Sequence, residues 1–229
     1  MERLAQQSPM HPGLSPMQLT DRQIAQLRAF ASAVRESPHN LLSARGLDEL
    51  EDRHIAEGLG VASLLPRRPH AVLDLGTGGG FPGLVIAIVR PDLRVALLDA
   101  TRKKVEFVAD VAQSLDVPVE VVHGRAEEVV HSRPDMRADV VTARAVAPLD
   151  RLIPLGLPFL RPQGQLWALK GARWAEELRT ATPTLRRLRA SVLAVPDDTR
   201  PQVHPQAAGG GFAVLRPRIV IIGRTSSRA

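Results

Sequence analysis

From residue 71 onward, short and almost wholly apolar runs alternate with stretches of helical periodicity. Residues 71–75, 95–99, 119–123, 138–143 and 165–170 are predicted strands, with helices beginning at Pro82 and Thr101 and another spanning 149–159. Strands that are apolar on both faces and separated by helices belong to a parallel sheet covered on both sides, so an α/β doubly wound core is expected. A further helix is predicted over 174–188. The last two apolar runs, 191–195 and 212–222, are joined through Gly209-Gly210-Gly211 with no helical pattern between them, which predicts a terminal antiparallel hairpin. Upstream, Thr20 and Asp21 form an N-cap signal, Ile24, Leu27, Ala31 and Val34 recur at helical spacing, and Ser37-Pro38 ends the helix. A second amphipathic stretch, 50–65, stops at Pro66. Residues 1–16, rich in Pro, Gln, Met and Ser without periodicity, are expected to be a disordered tail. The expected organisation is therefore tail 1–16, N-terminal helical extension 17–66, main domain 67–224 and tail 225–229.

Composition narrows the function. Of 229 residues, 44% are hydrophobic and 24% charged, as in a globular domain with one elaboration. The longest aliphatic run, 84–89, has six residues, against roughly 18 needed to span a bilayer, and the N-terminus has no apolar signal core. A cytoplasmic location, no membrane partner and a monomer are expected. The absence of cysteine excludes disulfides, thiolate metal sites and a cysteine nucleophile, and the absence of tyrosine removes another acid or base. No His/Asp/Glu cluster has metal-ligand spacing, so no metal is expected. The net charge is +6 and lies C-terminally: residues 1–172 hold 20 basic and 20 acidic side chains, residues 173–229 hold 10 and 4. Such a basic region suits a phosphate backbone or reflects the preference for arginine over lysine, 27 to 3.

Asp74-Leu75-Gly76-Thr77-Gly78-Gly79-Gly80-Phe81-Pro82-Gly83 joins the first predicted strand to its helix. Glycines here let the backbone turn tightly and approach a ligand, and Gly78, Gly80 and Gly83 also satisfy the dinucleotide spacing G-x-G-x-x-G. Two nucleotide-type ligands thus compete. A carboxylate at Asp74 would repel a pyrophosphate and attract the cationic end of S-adenosylmethionine, which favours the latter. Asp99, at the end of the second strand, is placed to accept bonds from ribose hydroxyls of either ligand.

The glycine segment, Leu97-Leu98-Asp99 followed by Arg102-Lys103-Lys104, His123-Gly124-Arg125-Ala126-Glu127-Glu128, Thr142-Ala143-Arg144-Ala145 and Leu169-Lys170-Gly171 together resemble the bacterial RsmG (GidB) family. The resemblance runs from about Asn40 to Lys170 and includes Asn40-Leu41 and Arg53-His54-Ile55. It implies a class I methyltransferase (Rossmann-like) fold and transfer of a methyl group from S-adenosylmethionine to N7 of a guanine in 16S ribosomal RNA of the small subunit. It also implies cofactor contact through Gly76, Phe81, Ala126-Glu127 and Arg144. The chain departs from the family pattern at Glu57-Gly58, where the family usually has Asp-Ser, and at Leu42, where it usually has Thr.

The residues present also limit the acceptor atom. Pyrimidine C5 transfer needs a cysteine, and exocyclic amine transfer usually employs an Asn/Asp-Pro-Pro-aromatic turn, where this chain has Ala143-Arg144-Ala145-Val146. Guanine N7 offers a lone pair with no proton to remove, so catalysis reduces to positioning. Arg144 and Lys170 are candidates to hold the guanine through O6 or a phosphate, since a cation on N7 would block attack. Contacts to RNA are expected from Arg102, Lys103, Lys104, Arg173, Arg179, Arg186, Arg187, Arg189 and Arg200. With seven aromatic residues in the whole chain, phosphate contact rather than base stacking should dominate. Rival readings are a small-molecule methyltransferase, a nicotinamide dehydrogenase and a non-enzymatic RNA-binding module.

Overall fold

A computed structural model describes residues 18–66, 70–195, 203–204 and 212–225. The expected tail at 1–16, Arg200, the glycines 209–211 and nearly all of the second tail lie outside the described residues. The N-terminal part is helical: α1 (Asp21–Glu36), α2 (Ala44–Asp48), a π-helical turn (Leu50–Ile55) and α3 (Ala56–Leu64). Then follow β1 (Ala71–Leu75), α4 (Gly83–Val89), β2 (Arg94–Asp99), α5 (Arg102–Ser114), β3 (Glu120–His123), α6 (Ala126–Ser132) and β4 (Ala138–Arg144). The chain ends with α7 (Leu149–Gly156), β5 (Leu160–Leu169), α8 (Trp174–Arg187), β6 (Ala190–Ala194), β7 (Val203–His204), β8 (Val214–Leu215) and β9 (Ile219–Arg224).

Seven strands form one sheet in the order β3-β2-β1-β4-β5-β9-β6, parallel from β3 to β5, with β9 antiparallel to both its neighbours. The expected terminal hairpin exists as the β6–β9 pair, but β9 is inserted between β5 and β6. The residues explain why: Ile219–Ile222 is buried throughout, as an interior strand requires, whereas Leu193 at the β6 edge is exposed. The run expected as one strand over 212–222 is also split. Pro217, which has no N–H to donate to a ladder, separates β9 from β8, and β8 pairs with β7 in a second, two-stranded sheet.

Helix α1 begins with the expected cap: the Thr20 hydroxyl accepts from the Gln23 N–H at 3.3 Å, and the Gln23 side chain accepts from the Thr20 N–H at 3.0 Å. Its apolar face buries Leu27, Phe30, Ala31 and Val34 in the same hydrophobic cluster as α3, α4 and one side of the sheet. A second cluster holds the other side, with α7 and α8. Helix α4 is buried all round because α1 and α3 cover the side that the sheet leaves open, which accounts for its uninterrupted aliphatic run.

Chain order reverses direction in the sheet between β1 and β4. In such sheets the crevice forms beyond the carboxyl ends of the two strands at the reversal, here at Gly76 and Arg144. The C-terminal segment closes back on the extension: a Cβ at Gly60 of α3 would lie 1.9 Å from the Leu215 carbonyl oxygen of β8. Gly60→Ala should therefore destabilise the protein by about 1–3 kcal/mol, since backbone must move. Gly171→Ala, which would meet nothing within 4 Å, should change stability by less than about 0.5 kcal/mol. Equilibrium urea unfolding of the two variants checks the contrast.

Candidate active site

The glycine loop leaves β1 at Gly76 (φ +71°) and passes Gly78 (φ +57°) and Gly80 (φ +98°), left-handed conformations that side chains rarely adopt. The N–H groups of Gly76 and Thr77 donate to the Leu98 carbonyl at 2.8 and 3.0 Å, fastening the turn to β2. A Cβ at Gly80 would press on Phe30 at 3.1 Å and Leu84 at 3.2 Å, whereas one at Gly78 would meet only the Gly76 oxygen at 4.0 Å. Gly80 is therefore a packing requirement, and Gly78 faces open space. Gly83 is the tightest: its Cβ would fall 2.3 Å from Leu97 and 2.7 Å from Asp74.

The sequence pattern places Asp74 against the cationic end of a cofactor. The structure instead buries it completely, with the Gly83 N–H donating to Oδ2 at 2.9 Å and the Thr142 hydroxyl to Oδ1 at 2.8 Å. Burial pushes its carboxyl pKa up, opposed by the nearby Thr77 hydroxyl, by these hydrogen bonds and by the field of Arg144. Asp74 thus holds the loop from beneath. Asp99 sits at the loop's open side: Oδ2 accepts from Gly78 N–H and Oδ1 from Thr101 N–H, both at 2.8 Å, and each oxygen keeps a lone pair. Ala126 and Glu127 open α6 beyond the next strand, with Glu127 exposed.

Arg144, at the end of β4, is turned toward the N-terminal extension. Its guanidinium donates to His54 Nδ1 at 2.6 Å and to Glu57 Oε2 at 3.2 Å, and lies 5.5 Å from the centroid of the Phe81 ring. Because a guanidinium can only donate, Nδ1 is the acceptor and the imidazole proton is on Nε2. Burial, with the fields of Arg144 and Arg53, lowers the His54 pKa to about 4. Phe81 is buried against Phe30 and His54, with ring centroids 4.9 and 5.7 Å away, so its ring anchors the loop rather than facing the crevice. Lys170, at the end of β5, has only 7% of its side chain exposed, and its ammonium donates to the Ala147 carbonyl at 2.6 Å and to Glu177 at 2.9 Å.

Between these groups lies a cavity of about 840 Å³. It is lined by Leu41, Leu42 and His54 of the extension, by Arg144 to Pro148 after β4, and by Lys170, Leu215 and Arg218. Sequence reasoning misses Glu57, Arg216 and Arg218 as site residues. The only local signal for Glu57 is its departure from the family's Asp-Ser, and nothing near Arg218 marks the chain crossing that brings it here.

The predicted cationic residues separate into two groups. Arg102, Lys103 and Lys104 open α5 beyond Asp99, and Arg173 precedes α8, so they flank the crevice. Arg186, Arg187 and Arg189 lie at the far end of α8, whose 14 residues rise about 21 Å, beside Ala190 at the start of the edge strand β6. They do not line the cavity. Among the described residues no group of three or more His, Asp or Glu side chains is arranged to hold a metal, and no helix is long and apolar enough to cross a membrane.

The sheet order, the glycine turn at the reversal and the carboxylate ending β2 define the class I S-adenosylmethionine-dependent methyltransferase fold. An O-methyltransferase from Streptomyces achromogenes, solved with S-adenosylmethionine, superposes with a TM-score of 0.54 at 18% identity over 92% of each chain. A ribosomal protein L11 methylase from Lactobacillus delbrueckii superposes at 0.51 and 17% identity, covering 73% of this chain and 78% of that one. The family model described as rRNA small subunit methyltransferase G matches residues 23–204. The chain is 38% identical over 216 residues to ribosomal RNA small subunit methyltransferase G of Streptomyces coelicolor, covering 89% of this chain and 87% of that protein. It is 44% identical to the protein of the same name from Mycobacterium leprae over 80% of this chain and 70% of that one. The chain belongs to the rRNA small subunit methyltransferase G (GidB) family.

The His54 environment predicts a pH dependence. Its folded pKa of about 4 lies below the ordinary value of 6.5, so the unfolded chain binds the proton more tightly, and stability falls as pH drops from 6.5 toward 4. The full shift corresponds to about 3 kcal/mol, which partial exposure of the ring to solvent reduces to about 1–2 kcal/mol. Urea unfolding at stepped pH should show this component in the wild type and its disappearance in His54→Gln; parallel profiles would refute it.

Proposed function

We propose that the protein transfers a methyl group from S-adenosylmethionine to N7 of a guanine in 16S ribosomal RNA of the small subunit. One observation carries the choice of acceptor: no group on the described cavity wall is free to act as a base. The two carboxylates there, Glu57 and Glu177, are each ion-paired, to Arg144 and to Lys170. The one imidazole has its only acceptor nitrogen occupied by Arg144. An amine or hydroxyl acceptor would have to lose a proton, whereas N7 presents a lone pair and no proton. Family membership and the absence of cysteine point the same way.

The residues present fit the cofactor. Open space above Gly78, beside a carboxylate with two unused lone pairs, is a cradle for a ribose. In this reading Asp99 accepts from the ribose hydroxyls, Gly76, Gly78 and Gly80 let the backbone approach the amino-acid part, and Ala126 and Glu127 flank the adenine. When bound, S-adenosylmethionine supplies a methyl group made electrophilic by its sulfonium. Arg144, clamped by His54, Glu57 and Phe81, fixes the end of β4 against the acceptor base, and the buried ammonium of Lys170 keeps donor capacity toward O6. The extension 17–66 serves as the acceptor-side wall, and Arg102, Lys103 and Lys104 meet the RNA backbone at the rim.

S-adenosylmethionine should bind in calorimetric titration and NADH should not; comparable affinities would return the dehydrogenase reading. Asp99→Ala should weaken cofactor binding by about 1.5–3 kcal/mol through loss of charge-assisted hydrogen bonds. Digestion of methylated 16S ribosomal RNA and mass spectrometry should yield 7-methylguanosine. A methylated pyrimidine or N6-methyladenosine would overturn the acceptor assignment, and turnover of small molecules without affinity for RNA would favour the rival methyltransferase.

A further inference from the structure

The charges lining the cavity are unevenly satisfied. Arg53, Arg144, Lys170, Arg216 and Arg218 face it together with Glu57 and Glu177, five cations against two carboxylates. His54 adds no charge near neutral pH. Arg144 and Lys170 are paired with those two carboxylates, and Arg53 is held by Glu49 at 2.6 Å. Arg218 differs. It is exposed, and its guanidinium has no acid partner among the described residues.

Its backbone, by contrast, is firmly placed. The Arg218 carbonyl accepts from the Lys170 N–H at 2.9 Å, Pro217 precedes it, and β8 on the other side of that proline rests on Gly60 of α3. The next residue, Ile219, enters the sheet opposite Leu169. A long cation is thus fixed at its root between the end of β5 and the extension, with no described acid neutralising its head at the cavity mouth. A free guanidinium on a rigid root, at the rim of a cationic cavity wide enough for a nucleotide, is a fork for a phosphate.

We propose that Arg218 is a positioning residue that grips a backbone phosphate adjoining the acceptor nucleotide, so that the base enters the cavity in register with Arg144 and Lys170. The assignment rests on the proposed action on RNA and adds to it a residue outside the cofactor site. A neutral small acceptor would gain nothing from this group, whereas a polynucleotide meets it at every entry.

The test uses the full-length protein and 16S ribosomal RNA over a series of salt concentrations, with S-adenosylmethionine affinity measured in parallel. Arg218→Ala should lower the slope of log affinity against log salt by about 0.7–0.9, as expected when one phosphate is no longer neutralised by the protein. KM for RNA should rise roughly five- to tenfold, as expected for one hydrogen bond made at a solvent-exposed rim, with the effect falling on KM far more than on kcat. Arg218→Lys should restore the slope, because a point charge satisfies the electrostatic part, and cofactor affinity should not change in either variant. If wild-type protein methylates the RNA while Arg218→Ala keeps the slope and KM, the phosphate assignment is wrong and the proposed function stands. If the wild type neither binds nor methylates the RNA, the proposed function fails and this assignment with it. A slope lowered equally in Arg218→Ala and Arg218→Lys would show a structural role and would also overturn the proposal.

Discussion

A single buried carboxylate ties the site together. Asp74 lies on the central strand, wholly out of water, where an unsatisfied charge would cost several kcal/mol. Its two oxygens are satisfied from two other elements, by the first N–H of α4 and by the Thr142 hydroxyl of β4. Satisfying it fixes the start of α4 against β1 and holds β1 and β4 together where the sheet reverses its chain order. Gly83 follows from the same constraint, since any Cβ there would fall within 2.7 Å of Asp74. The loop above then takes its left-handed path because both of its ends are fixed. The carboxylate that reads as a ligand in the sequence is the support on which the ligand-facing groups rest.

With the loop fixed, the cavity beyond β4 needs a second wall that a doubly wound sheet does not supply. Two segments from opposite ends of the chain provide it. The extension reaches over α4, and the π-helical turn before α3 carries Arg53 and His54, with Glu57 one turn on. A π turn resets the helical phase, and such turns recur at functional sites for that reason. The C-terminal segment crosses behind, in backbone contact with Gly60. The extension and the sheet share one continuous hydrophobic cluster, so the cavity wall is as firmly built as the core.

The legible parts of the sequence are those fixed by local periodicity or by a short motif. Four of the parallel strands, the cap at Thr20, the glycine turn and Asp99 at the end of β2 stand where the pattern puts them, and β5 begins earlier than expected, at Leu160. What escapes depends on groups far apart in sequence. The insertion of β9 between β5 and β6 is written in its apolar run, yet adjacency in the chain suggests a simple hairpin. Asp74 reads as a ligand group from its charge beside the glycines and Phe81 from the family resemblance, and burial of their side chains cannot be seen from either. Charge counting groups Arg173, Arg179, Arg186, Arg187 and Arg189 as RNA contacts, whereas the fold spreads them from the start of the 14-residue helix α8 to beyond its last turn. Arg218, in the short link between β8 and β9, gives no local sign of its position because only the fold brings it to the cavity.

The pairing of Arg144 also bears on how such a site can hold a cationic ligand. An isolated guanidinium beside a sulfonium would repel it, by about 3–4 kcal/mol at 4–5 Å for an effective dielectric of 20. Glu57, 3.2 Å from that guanidinium, offsets the charge locally, while the neutral imidazole of His54 fixes its orientation without adding a further cation. The positive potential that a polyanion requires is left to groups at the rim, Arg218 on one side and Arg102, Lys103 and Lys104 on the other. Charge is thereby separated by depth: nearly compensated where a methyl donor and a base would meet, uncompensated where phosphates would pass. A site built this way does not require its RNA contacts and its cofactor contacts to compete for the same field.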